Sequence, residues 1–188
     1  MSITLTEIRQ IDIEDRHNVI FVKYSEDGRN DGVAARIAAH TAQTWQQNRG
    51  RQETLNNTIQ GKIAEELFHQ YMSQSSPEIH LLSYDEIRND NYTKHAPFDF
   101  LAWNGDCDIE AIVRAVQRDI VRSNRFVRIS PETRALCRYE NVKIIEIKST
   151  KITDRHKMQC KFNEGGYGEP QKVNALAQVI LDDDYLTY

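Results

Sequence analysis

Apolar side chains recur along this chain in two periods, and each segment takes its expected form from the one it follows. Val19, Ile20, Phe21 and Val22 make a short β-branched and aromatic run, bounded by Asn18 and by Ser25-Glu26-Asp27-Gly28. That is a strand signature, and residues 3–13 supply a preceding strand for it to pair with. Between Val33 and Asn48, alanines, Ile37 and Trp45 fall at helical spacing, and Gly50 ends the segment. The clearest helical pattern runs from Gln52 to Ser73, with Ile59, Ile63, Leu67 and Tyr71 four apart and Ala64, Phe68 and Met72 beside them. Gln74-Ser75-Ser76-Pro77 breaks it, and the chain from there to His95 reads as irregular or short extended structure. Pro97 to Trp103 is an extended run closed by Asn104-Gly105, a strong turn signal. Asp108 caps a predicted helix to Ser123, residues 126–129 read as a strand, Pro131 opens a short helix, and Val142 to Thr150 is a further strand. After a loop containing Gly165, Gly166 and Gly168, apolar spacing predicts a last helix from Pro170 to Leu181.

Helices before and after a set of strands, without steady alternation, predict an α/β fold: a mixed β-sheet flanked by helices rather than a doubly wound parallel sheet. The 188 residues suit one domain. No G-x-G-x-x-G or G-x-x-x-x-G-K-[ST] occurs, so nucleotide-cradling folds have no support. No apolar run approaches the roughly 18 residues of a membrane span, and the polar start MSITLTEIRQ lacks a signal-peptide core, so a cytoplasmic protein is expected. Cys107, Cys137 and Cys160 are odd in number and form no C-x-x-C pair, which argues for reduced thiols. His156 and Cys160, four apart, lack two further visible ligands for zinc.

Charge changes the picture, because the formal net charge of −4 hides a division. From Arg114 to Lys161 there are 13 Lys and Arg against 5 Asp and Glu, or +8, while the remainder holds 11 against 23, or −12. Within the basic third, Arg114, Arg118 and Arg122 recur every four residues and stack along one stripe of the predicted helix, with Ile112, Val113, Val116 and Ile120 toward the other side. A solubilising face normally alternates acids with bases, whereas repeated arginine suits a phosphate backbone. Trp45 and Trp103 read as core, His95 and His156 as structural histidines, and Gln171 as a cap or surface residue as readily as a substrate contact.

The most informative segment is Lys143-Ile144-Ile145-Glu146-Ile147-Lys148-Ser149-Thr150. On a strand, Ile145 and Ile147 share one face while Glu146 and Lys148 share the other, an acid and an ammonium facing the same space. Asp99 stands in the earlier extended run between Phe98 and Phe100, where alternation aims it away from both rings. If the two strands are neighbours, Asp99 and Glu146 converge, and two close carboxylates repel unless a divalent cation lies between them. Oxygen ligands with open positions for water and phosphate suit Mg²⁺, with Mn²⁺ able to substitute. Asp99, Glu146 and the Ile147 carbonyl then hold the metal, and Lys148 orients a water or offsets charge growing on phosphorus.

Asp99 followed at a distance by Glu146-Ile147-Lys148 resembles the PD-(D/E)XK nuclease superfamily, and Gly61-Lys62-Ile63-Ala64-Glu65-Glu66-Leu67 resembles the acidic first core helix of that family. The likeness spans about residues 52–181, with the helix from Pro170 standing as the one after the catalytic strands. It implies a restriction-endonuclease-like fold and gives Glu65 a metal-binding role, with Glu66 the alternate. The family's Pro-Asp is Pro97-Phe98-Asp99 here, and the 46 residues between Asp99 and Glu146 exceed a compact hairpin. An inserted Arg-rich helical element, about residues 106–138, fills that gap as an added DNA contact. Ser149 and Lys151 continue the strand, where touching the phosphate backbone and simple solvation are equal readings. The resemblance implies a Mg²⁺-dependent DNA endonuclease of restriction or phage-related type acting as a homodimer. The alternatives are a DNA exonuclease and a non-catalytic nucleic-acid-binding subunit with a nuclease-like fold.

Overall fold

A computed structural model describes residues 2–13, 16–27, 51–151 and 175–180, with side chains from 52 to 147. The predicted helix over 33–48, Trp45, His156, Cys160, the loop near Gly165 and Gln171 lie outside the described residues. Strands β1 (Ser2–Ile13) and β2 (Arg16–Asp27) pair antiparallel as a two-stranded sheet, as the sequence pattern anticipates. Helix α1 (Arg51–Ser75) follows and lies against β1.

A second sheet has the order β3-β4-β5-β6, formed by Ile79–Ser83, Phe100–Asn104, Lys143–Lys151 and Ala175–Ile180. Every described ladder in it is antiparallel, so the expectation of a mixed sheet is corrected on this point, while the α/β character stands. The one-turn helix α2 (Tyr84–Ile87) leaves β3 directly. Its start is a capping box: the Ser83 hydroxyl accepts from the Glu86 N–H while the Glu86 carboxylate accepts from the Ser83 N–H. Strand β3 is the short extended structure that the sequence pattern allows here, whereas the turn of helix over 84–87 is not anticipated. The motif Ser83-x-x-Glu86 already carries the signal.

Between β4 and β5 stand the two helices that the sequence pattern predicts, α3 (Ile109–Arg122) and α4 (Pro131–Tyr139). Asp108 caps α3 through the Ala111 N–H, and Ser130 caps α4 through the Thr133 N–H. The buried Asp119 carboxylate ties the two helices together, accepting from the Ser130 N–H at 2.9 Å and the Thr133 hydroxyl at 2.7 Å. At the same C-terminal end of α3, Lys94 Nζ donates to the carbonyls of Ile120 and Ser123 at 2.5 and 2.7 Å, where the helix leaves carbonyls without helical partners.

Two departures concern short apolar runs. Residues 126–129 form no strand beyond a single parallel bridge between His95 and Phe126; Val127 and Ile129 are buried in the core from irregular backbone. The last predicted helix is replaced, over 175–180, by strand β6, paired with Glu146–Lys151 of β5. A six-residue apolar run has no reliable period of its own, and here it satisfies the outer edge of β5.

The sheet separates two clusters of buried side chains. Phe100, Ala102, Ile145 and Ile147 face α1, where they meet Ala64 and Phe68. Leu101 and Ile144 face the other way, into a larger cluster with Tyr84, Ile87, Ile112, Val116, Ile120 and Cys137. Trp103 is partly buried against that cluster. Alternation along β4 and β5 therefore builds a helix–sheet–helix sandwich from a period of two.

Candidate functional site

Asp99 immediately precedes β4 and is held by its main chain on both sides. Its N–H donates to the Ile145 carbonyl at 2.9 Å, and its carbonyl accepts from the Tyr84 N–H at 2.8 Å. Strands β4 and β5 are neighbours, with Phe100 opposite Ile145, so Asp99 and Glu146 stand one step further along the same ladder. Regular alternation stops there. Phe98 belongs to the larger core and Phe100 to the α1-facing one, so Asp99 is not aimed away from both aromatic rings as the sequence pattern suggests. Its carboxylate instead turns along the sheet edge, where Oδ2 accepts the Ile147 N–H at 2.5 Å.

That edge has a particular geometry. Beyond Ile145, β5 pairs on its outer side with β6, and among the described residues no strand flanks it on the β4 side. In an extended strand the N–H and C=O of one residue point to the same edge, so the Ile147 carbonyl shares the open edge with the Asp99 carboxylate.

Glu65 comes to this place from α1. Ala64 is buried against Ile145 and Ile147, which fixes the helix face, and Glu65 follows it with only 18% of its side chain exposed. Glu66, the alternate, points outward and accepts from the Gln70 amide. Burial pushes the Glu65 carboxyl up to about 7; the Lys62 ammonium opposes this, and the Asp99 and Asp85 carboxylates add to it. Two acids from different elements are thus close enough to feel each other's charge.

Sequence reasoning missed two members of the cluster. Lys62 Nζ lies 2.5 Å from Glu65 Oε2 and 2.8 Å from Asp85 Oδ2, bridging α1 to α2. Burial pulls the Lys62 ammonium down, but Glu65 and Asp85 outweigh it and hold the group above its ordinary value. Lys62 is well compensated by two anions, whereas Glu65 has one cation against burial and two like charges. The Asp85 Oδ1 meets Arg88 at 3.3 Å, and Arg88, nearly buried, is fixed in turn by Asp90 and by the Tyr84 and Tyr92 rings. The Lys62–Glu65 spacing of three on a helix was legible. Asp85 was legible only through the capping box that starts α2.

Glu146 is half-buried, and strand alternation puts it on the Ile144 face, opposite the one that meets α1. The side chains of Lys148, Ser149 and Lys151 lie outside the described residues; their backbone is in β5. Among the described residues, no three His, Cys, Asp or Glu side chains gather tightly enough to hold a metal ion. The Asp99 and Glu65 carboxylates are near enough to repel each other, and the Ile147 carbonyl shares the edge with Asp99. This suits a cation such as Mg²⁺, which commonly takes one or two carboxylates and keeps several waters.

The arginine stripe of α3 is exposed. Arg114, Arg118 and Arg122 lie opposite the buried Ile112, Val116 and Ile120, as their spacing predicts. With Asn89, Gln117 and Val121 they line an open groove of about 400 Å³. Arg114 pairs with Glu110 at 3.2 Å, while Arg118 and Arg122 form no ion pair among the described residues. His95 stacks on Phe126 with ring centroids 4.9 Å apart, and burial, with help from Arg125 and Arg88, pushes its imidazole down to about 4. It is a structural histidine at neutral pH.

No helix among the described residues is long and apolar enough to cross a membrane. No protein-family model matches the chain, and neither a curated protein nor a solved structure matches it.

Proposed function

We propose that this protein is a divalent-cation-dependent DNA phosphodiesterase related to the PD-(D/E)XK nucleases, an endonuclease of restriction or phage-related type working as a homodimer. The observation that carries this reading is the meeting of Asp99 and Glu65 at the open edge of β5. Two elements far apart in sequence bring acids together there, against their own repulsion. A fold gains nothing in stability from such a pair, and a bound cation gives it a purpose.

Asp99, Glu65 and the Ile147 carbonyl hold Mg²⁺ or Mn²⁺; Glu146, which the sequence pattern also assigns to the metal, lies on the face of β5 away from Glu65. When bound, the cation polarises a phosphate oxygen and acidifies a water. The double main-chain clamp keeps Asp99 in register with β5, so its carboxylate needs no reorganisation when substrate arrives. Lys148 presents its ammonium to the attacking water or to the charge that grows on phosphorus. Arg114, Arg118 and Arg122 hold the duplex backbone through α3, while Ser149 and Lys151 extend the phosphate contacts along β5.

Incubation of the purified protein with supercoiled plasmid and Mg²⁺ tests this. Nicking or linearisation is expected, abolished by chelator and by Asp99→Ala or Lys148→Ala. Intact plasmid with wild-type protein, or undiminished cutting by either variant, removes the proposal. Degradation of linear DNA with sparing of closed circles identifies an exonuclease instead.

A further inference from the structure

Resting on the cation-site reading above, we propose that the Lys62 ammonium is the resident counter-ion of this carboxylate cluster. A divalent cation binds by driving it off Glu65, so that Lys62 sets the cation affinity. An ammonium is a compact point charge with three donors and no acceptor, the side-chain group closest in character to a small hard cation. Lys62 occupies that role literally: its Nζ contacts Glu65 Oε2 at 2.5 Å, on a carboxylate that also feels the like charges of Asp99 and Asp85. A metal ion ligated by Glu65 and the ammonium compete for the same carboxylate.

Asp85 makes the exchange local. Its Oδ2 accepts from Lys62 at 2.8 Å while its Oδ1 faces Arg88, itself anchored by Asp90 at 2.8 Å. Lys62 released from Glu65 keeps a fixed partner on α2 and stays beside the site with donors to spare. Asp85 is therefore a positioning residue, acting through Lys62. Binding free energies are reciprocal, so whatever the ammonium costs the metal, the metal costs the Lys62–Glu65 pair. A purely structural bridge between α1 and α2 predicts no such exchange.

The test uses the full chain and two readouts other than activity. Calorimetric titration with Mn²⁺ compares wild type, Lys62→Met, Lys62→Gln and Asp99→Asn. Amine acylation followed by mass spectrometry then compares the reactivity of Lys62 in wild type with and without Mg²⁺. Both Lys62 variants are expected to bind Mn²⁺ more tightly by roughly 5-fold or more, Asp99→Asn to lose the site, and Lys62 acylation to speed up when Mg²⁺ is added. Asp99-dependent Mn²⁺ binding that is equal or weaker in both Lys62 variants, or Lys62 reactivity indifferent to Mg²⁺, overturns the exchange and leaves the cation site standing. Absence of Asp99-dependent binding in every form removes the cation site and the exchange with it.

Discussion

Glu65 and His95 are both buried titratable groups, and they drive stability with pH in opposite directions. With its carboxyl raised to about 7 in the folded protein, Glu65 keeps a proton that the unfolded chain has already released above its ordinary range. Stability from this group is complete at low pH and is lost as pH rises through about 7. Glu65→Gln, which mimics the protonated acid, should raise the metal-free unfolding free energy at pH 8 by on the order of 1–3 kcal/mol and change it little at pH 4.5. Denaturation of both proteins at both pH values checks this. His95, held down to about 4, works the other way: below about 6.5 the unfolded chain takes a proton that the folded one refuses, so stability falls as pH drops toward 4. A His95→Gln variant should lose that acid-side dependence. The buried Asp119 carboxylate accepts from the Ser130 N–H and the Thr133 hydroxyl. Asp119→Ala should cost about 2–4 kcal/mol in urea denaturation, with Asp119→Asn recovering part.

Among the elements, α3 is where structural and functional contributions are easiest to separate. Lys94 ties off its C-terminal carbonyls, so Lys94→Met should lower stability by about 1 kcal/mol and speed amide exchange at 120–123 without touching nucleic-acid affinity. Arg118 sits on the opposite, exposed stripe: Arg118→Ala should weaken DNA binding at unchanged stability and reduce the salt slope by about 1 in a fluorescence titration. The contrast follows the legibility of the chain. The stripe of α3, its Asp108 cap and the strand Lys143–Lys151 were readable because each has enough residues to display a period or a motif. Phe98 was misread because a period of two holds only inside a ladder, and Asp99 sits one residue before its ladder begins. Residues 175–180 were misread because six mostly apolar positions fit a helix turn and a strand alike, and only the neighbouring edge of β5 decides. Glu65 was separable from Glu66 only once Ala64 had fixed which face of α1 meets the sheet. Lys62 and Asp85, from α1 and α2, meet through tertiary packing that no local pattern encodes.

For the molecule as a whole, β4 stops where β5 continues, leaving an edge where the Asp99 carboxylate takes the Ile147 N–H and Glu65 is near enough to feel its charge. The sheet separates α1 from α3 and α4, so the proposed function puts the arginine stripe on one layer and Glu65 on the other. Anomalous diffraction from a crystal soaked in Mn²⁺ addresses the shared-cation claim most directly. A single peak is expected about 2.1–2.3 Å from a carboxylate oxygen of Asp99, with Glu65 reached directly or through water. A manganese peak that omits Asp99, or an ordered crystal with no peak at the β5 edge, contradicts the account.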